Sequence, residues 1–166
     1  MNRRHFIIHL AGITSATLLA PRILLSKEQR QSAFEKIIKS EAEWKRILTP
    51  EQFDILRKDG TERAYTSPLN DEKRKGTYVC AGCALPLFTS DMKYDSGTGW
   101  PSFTTTLPGA VETSLDFKLI YPRTEYHCAR CEGHQGHVFN DGPPPTGMRY
   151  CINSAALTFR AEEEEE

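Results

Sequence analysis

Four of the five cysteines in this chain form two Cys-x-x-Cys pairs, Cys80/Cys83 and Cys128/Cys131. The fifth, Cys151, stands apart, late in the chain and close to Arg149 and Asn153. Two thiolates at this spacing can face one tetrahedral ion. Two such turns complete a closed four-sulfur site of the structural zinc type, which leaves no position for a substrate. A pair of disulfides or a redox dithiol would use the same residues. Two matched pairs, each where a short strand runs into a tight turn, favour one zinc ion over both rivals. That ion would take up every cysteine except Cys151. A free cysteine is often only a small buried hydrophobe; it is also the strongest side-chain nucleophile, and the reading adopted is that Cys151 does chemistry.

His134 and His137 follow Cys131 by three and six residues. Spacing alone allows them to be further metal ligands, or one of them to be a satisfied core histidine. With four cysteines available the metal does not need them, and two groups that titrate near neutrality are free for acid–base work. His5, His9 and His127 are given no role.

The elements that must hold these residues are mostly short strands. Eleven glycines and ten prolines, the majority within residues 60–150, indicate many turns. Candidate strands are Thr77–Cys80, Leu85–Phe88, Leu115–Tyr121, Thr124–Cys128, Val138–Phe139, Met148–Ile152 and Ala156–Phe159. No helical periodicity appears after residue 60. Before it, Phe34, Ile37 and Ile38, then Trp44, Ile47 and Leu48, predict one amphipathic helix or two short ones within residues 21–48. Thr49-Pro50-Glu51-Gln52 is a capping box with proline at the first helical position. It opens a helix through Phe53, Ile55 and Leu56 that stops at Gly60. The expected fold is mainly antiparallel β, with helices only at its N-terminal side.

Apolar residues make up 39% of the chain and charged residues 26%, with a formal net charge of −1. This composition lacks the basic stripe of a nucleic-acid binder. Residues 1–20 differ from the rest: Arg3-Arg4 precede a 15-residue apolar stretch from Phe6 to Ala20. That order reads as an export signal, and the paired arginines resemble a bacterial twin-arginine signal, with Asn2 where Ser or Thr is usual. Pro21-Arg22 interrupts the apolar run before the roughly 20 residues a membrane span needs. The implied division is an export signal at 1–20, a helical linker at 21–39, a main domain at 40–160 and an acidic tail at 161–166. The protein is expected to be periplasmic or otherwise exported, and membrane-anchored if the signal is retained.

Three stretches carry a resemblance: Ser96-Gly97-Thr98-Gly99-Trp100-Pro101-Ser102-Phe103, Gly133-His134-Gln135-Gly136-His137-Val138-Phe139, and Gly142 through Ser154, including Arg149-Tyr150-Cys151-Ile152-Asn153. Together with Thr49–Gln52 and Gly60–Ala64 they resemble the methionine sulfoxide reductase B family over residues 40–160. The resemblance implies two antiparallel sheets in a tent-like arrangement, one structural zinc on Cys80, Cys83, Cys128 and Cys131, and reduction of the R epimer of methionine sulfoxide, chiefly in proteins. It implies Cys151 as the nucleophile, with His134, His137, Arg149 and Asn153 around it and Trp100 receiving the substrate's methyl group. Arg149 and the histidines would favour the thiolate; Asn153 would hold a histidine or a water. The first product on the enzyme would be a sulfenic acid. Many family members carry a cysteine where this chain has Thr98, and that cysteine resolves the sulfenic acid. This chain therefore resembles a single-cysteine type that needs an outside thiol, thioredoxin-like or other. A monomer is expected, with no nucleic-acid partner. The rival class is a non-catalytic zinc-ribbon binding module, which accounts for the two cysteine pairs but not for Cys151, His134, His137 and Trp100 together. A thiol oxidoreductase using one Cys-x-x-Cys pair is a weaker third.

Overall fold

The computed structural model describes residues 34–163. Two short helices come first. Helix α1, Glu41–Ile47, is opened by a capping box in which the Ser40 hydroxyl accepts from the Glu43 N–H and the Glu43 carboxylate accepts from the Ser40 N–H. Helix α2, Pro50–Lys58, is opened by the Thr49–Gln52 box, with reciprocal hydrogen bonds of 3.1 and 3.2 Å and proline at the first position. It buries Phe53, Ile55 and Leu56.

Two helical expectations are corrected. Residues 34–40 are not helical: the backbone runs extended over the second cysteine turn, where the Ile37 N–H donates to the Arg130 carbonyl at 2.7 Å. Ile38, which would share a helix face with Phe34 and Ile37, points to solvent instead. The rest of the expected 21–39 helical linker, residues 21–33, lies outside the described residues, as does the 1–20 segment. The left-handed residue ending α2 is Asp59, with φ 51°, rather than Gly60. Aspartate tolerates that conformation. Gly60 lies against the exposed Asp54 side chain, whose carboxylate would have to turn away to admit a Cβ there.

Nine strands follow: β1 Gly76–Cys80, β2 Pro86–Thr89, β3 Lys93–Tyr94, β4 Ser102–Phe103, β5 Val111–Asp116, β6 Arg123–Cys128, β7 His134–Phe139, β8 Arg149–Ile152 and β9 Leu157–Ala161. They form two sheets, in the orders β2-β1-β9 and β3-β4-β8-β7-β6-β5, and every pairing is antiparallel. The expected strand Leu115–Tyr121 is displaced. β5 ends at Asp116, and residues 117–122 form the turn into β6. Apolar residues there look like a strand in sequence, yet their side chains face solvent.

Aromatic side chains fill the space between the sheets. Phe88 stacks on Phe103 with ring centroids 4.1 Å apart, and Tyr78 meets the edge of Phe103 at 5.0 Å. Tyr126 and Ile152 are buried in the same cluster. This core fixes β4, β8 and β7 side by side. Their register sets Ser102 opposite Cys151 and Cys151 opposite His137. Gly136 allows the close approach of β7 to β8, since a Cβ would strike the Cys151 carbonyl oxygen.

Candidate active site

Both cysteine pairs adopt the same turn. The Cys80 N–H donates to the Leu85 carbonyl at 2.8 Å, and the Ala84 N–H donates to the Cys80 carbonyl at 2.7 Å. The second turn repeats this: Cys128 N–H to Gly133 carbonyl and Glu132 N–H to Cys128 carbonyl, both at 2.9 Å. Ala84 and Glu132 occupy the left-handed region at φ 59° and 58°. The four sulfurs lie within 4.8 Å of one another, with Cys80–Cys131 at 3.6 Å and Cys83–Cys128 at 3.5 Å. A tetrahedral zinc with Zn–S bonds of about 2.3 Å needs sulfurs about 3.8 Å apart. The donor set fits zinc, and these four residues would hold it. Leu56 of α2 packs against both turns, within reach of Gly82 and Gly133. Gln135 ties the cluster to β7 through its amide, which donates to Cys80 Sγ at 3.5 Å.

A separate pocket of about 120 Å³ opens on the other side of β7 and β8, lined by Trp100, Arg123, His137, Phe139, Cys151 and Asn153 among others. Cys151 is half-buried. Burial pushes its thiol above the ordinary range, while the positive charge of Arg149 and hydrogen bonds from Thr98 and Arg149 act the other way. The net direction is upward. Arg149 thus biases the group toward the thiolate, and burial outweighs that bias.

Arg149 is fixed by two parallel hydrogen bonds of 2.8 Å to Asp141, and its guanidinium lies 4.2 Å above the Phe139 ring. His137 Nε2 donates to Asp116 Oδ2 at 2.8 Å. Asp116 also accepts the Lys118 N–H at 2.8 Å and Arg123 Nη2 at 2.6 Å. These bonds, the Lys118 N–H first, hold the Asp116 carboxyl well below the usual range, so it is the acceptor. Burial draws the His137 pKa down against the pull of Asp116. His134 Nδ1 lies 2.7 Å from Glu125 Oε1, and the two histidine rings are 5.4 Å apart. His134 is buried behind His137.

The Asn153 amide bonds to backbone groups rather than to a histidine. Oδ1 accepts the Glu62 N–H at 3.1 Å, and Nδ2 donates to the Gln135 carbonyl at 3.4 Å. Glu62 in turn accepts Trp100 Nε1 on its carbonyl at 3.1 Å, and its carboxylate receives the Ser154 N–H and Ser154 Oγ, both at 2.7 Å. One loop residue thereby sets the indole at one wall of the pocket and the end of β8 at another.

The SelR domain is matched by residues 48–161. The chain is 55% identical over 128 residues to peptide methionine sulfoxide reductase MsrB of Leptospira interrogans, covering 76% of this chain and 98% of that protein. It is 51% identical to the protein of the same name from Methanosarcina barkeri, covering 80% of this chain and 94% of that one. For Agrobacterium fabrum the figures are 54%, 75% and 93%. The chain belongs to the MsrB family.

For this MsrB-family chain the structure gathers Cys151, His137, Trp100 and Asn153 at one pocket, with Arg149 beside Cys151 and His134 behind His137. Sequence reasoning missed Asp116, Glu125 and Arg123. Asp116 and Glu125 meet the histidines, and Arg123 meets Asp116, through hairpin register across β5, β6 and β7, which no local pattern reveals. Glu62 was visible only as part of Gly60–Ala64. Glu62→Ala removes every carboxylate bond to Ser154 and Ala155 and loosens the loop that holds Trp100. We expect kcat/KM to fall by roughly 10²-fold, the scale of an ångström-level misplacement. Steady-state kinetics beside a thermal melt checks this; unchanged kinetics would remove Glu62 from the site's support.

Proposed function

We propose that this protein reduces the R epimer of methionine sulfoxide to methionine, mainly within polypeptides, with Cys151 as nucleophile. The observation that carries the reading is the single pocket in which a half-buried cysteine, a carboxylate-bound histidine and an indole converge. The indole offers an apolar wall to the S-methyl group. Arg149, and His137 through Nδ1 when its ring is protonated, are the donors for a developing negative charge on the sulfoxide oxygen.

The oxygen moves from the substrate sulfur to Cys151 Sγ, and the thiol's proton ends on that oxygen. A thiol plus a sulfoxide thereby gives a sulfenic acid plus a thioether, with no other reactant. A resting thiol suits this step, because the nucleophile brings the proton that the oxygen requires. An external thiol, thioredoxin-like or other, then attacks the sulfenic sulfur and releases water. A second thiol frees Cys151 from the mixed disulfide. The zinc ion, when bound, supplies structural cross-linking and no acid–base chemistry.

Separated R and S epimers of a sulfoxide peptide, assayed with dithiothreitol, test the reading: turnover of R alone supports it, and turnover of neither, or of S alone, overturns it. Mass spectrometry after one turnover without reductant should find the oxidation on Cys151, trappable by a sulfenic acid reagent. Thr98 provides no second sulfur, so a disulfide between Cys151 and a zinc cysteine would contradict the single-cysteine cycle. The pH dependence has a defined sign. A raised thiol pKa makes the thiolate fraction climb about tenfold per pH unit through and beyond pH 8.5. Iodoacetamide alkylation of Cys151 in the free enzyme should follow that climb, and Arg149→Met should move it further alkaline. A plateau by pH 7 would refute a resting thiol.

We also infer export of a monomer, from the paired arginines and apolar run of residues 1–20. A reporter fused to residues 1–30 should depend on twin-arginine transport for export, and sedimentation of the full chain should give one copy. Among the described residues no helix is long and apolar enough to cross a membrane.

A further inference from the structure

The turn between β5 and β6 carries an apolar surface with no part in the chemistry described above. Eight large apolar side chains are conspicuously exposed among the described residues, and five of them fall within residues 115–121. Leu115, Phe117, Leu119, Ile120 and Tyr121 are 66%, 70%, 48%, 104% and 65% exposed. A concentration of this kind marks a surface that meets a partner.

Both ends of the turn are rooted in the pocket. Asp116, directly before Phe117, holds His137. Arg123, two residues after Tyr121, lines the pocket itself. The base is closed by the Arg123–Asp116 ion pair at 2.6 Å, and Lys118 is tied to Asp59 beyond α2 at 2.7 Å. Each cation of the segment is thus matched by an acid, and the tip presents apolar surface without uncompensated charge. That excludes attraction to an anionic surface or an acidic peptide as the basis of recognition. A pocket of about 120 Å³ takes one side chain. The remainder of a polypeptide substrate must lie on the rim, advancing about 3.3 Å per residue when extended.

We propose that the 115–121 tip is a docking surface for the apolar, extended stretch of substrate protein that flanks the methionine sulfoxide. The proposal rests on the reading of the pocket given above. It adds a specificity: sulfoxides within exposed apolar segments, as unfolded proteins offer, are preferred over those with polar neighbours.

The test uses the full-length protein and the variant Phe117→Ser/Ile120→Ser, whose changes lie at exposed positions outside the pocket. Three R-sulfoxide substrates are compared: N-acetylmethionine sulfoxide amide, a nonapeptide with Leu and Phe flanks, and one with Ser and Gly flanks. The wild type should favour the apolar-flanked peptide over the polar one by roughly tenfold in kcat/KM. The variant should lose that preference while turning over the single amino-acid substrate as before. A preference that survives in the variant, or none in the wild type, overturns the proposal. So does a tip that serves self-association or neutral vesicle binding, seen as sedimentation or flotation lost in the variant with the peptide preference intact. If the wild type turns over none of the three, the reading of the pocket fails separately. Fluorescence anisotropy of the labelled apolar peptide then still decides the docking question, with equal binding by wild type and variant refuting it.

Discussion

Cys151→Ser is expected to end turnover of the R sulfoxide, by roughly 10⁴-fold or more in kcat, the scale on which loss of a nucleophile is felt. The hydroxyl nearly matches the thiol in volume, so β8 keeps its place between β4 and β7, and the melting temperature should hold within a few degrees. What changes is the atom. A serine oxygen has no accessible oxidation state in which to accept the sulfoxide's oxygen, and no other free sulfur lies in the pocket. Cys80, Cys83, Cys128 and Cys131 are grouped at the cysteine turns instead. Residual turnover comparable to wild type would make the pocket a binding site and return the chain to the non-catalytic class. A variant that binds oxidised peptide and leaves it unreduced is the expected outcome.

Replacing one of the four cysteines that would hold zinc should act on the fold rather than on the chemistry. Structural zinc contributes on the order of 10 kcal/mol to folding, against a total of about 5–15 kcal/mol for a domain. Cys128→Ser removes one of four donors and leaves three crowded thiols, two of them buried, whose mutual repulsion in the ionised form is no longer compensated. We expect zinc content well below one per chain and a melting temperature lower by roughly 10 °C or more. Catalysis should fall as well, through a physical link. Gln135 meets Cys80 Sγ with its side chain, and its carbonyl accepts the Asn153 N–H at 3.1 Å. Slack in the cysteine turns therefore reaches the end of β8 in two bonds. Full zinc occupancy with an unchanged melt in Cys128→Ser would show that the four sulfurs do not form one site.

Local chemistry was readable in the sequence wherever one short segment decides it. The Thr49–Gln52 box opens a helix because both its bonds close within four residues. The two cysteine turns announce themselves by spacing, and their identical hydrogen bonding shows why: each is a self-contained motif. Residues 34–40 misled because apolar spacing of three and four is only a tendency, and the segment is held by a backbone bond to Arg130 at the distant second turn. Residues 117–121 misled because the strand signal assumes that apolar side chains are buried, and these are not. The carboxylates behind the histidines could not be found without register. Asp116 reaches His137 across an intervening strand, a distance in sequence of 21 residues. Asn153 lines the pocket, and its bonds to the backbone of Glu62 and Gln135 follow from chain crossings that no local pattern reveals.

The first strand of the small sheet pairs on one edge with nearby β2 and on the other with β9, far along the chain: Gly76 pairs with Ala161 and Cys80 with Leu157. Both the metal turn that follows β1 and the Glu62 loop that reaches Ser154 depend on sequence translated tens of residues later. On the ribosome this means that no shorter nascent chain possesses a reduced copy of the pocket. Long-range strand pairing is slow to form, and until β9 emerges one edge of β1 is without the partner it has in the folded chain. Synthesis yields the whole catalyst or none of it.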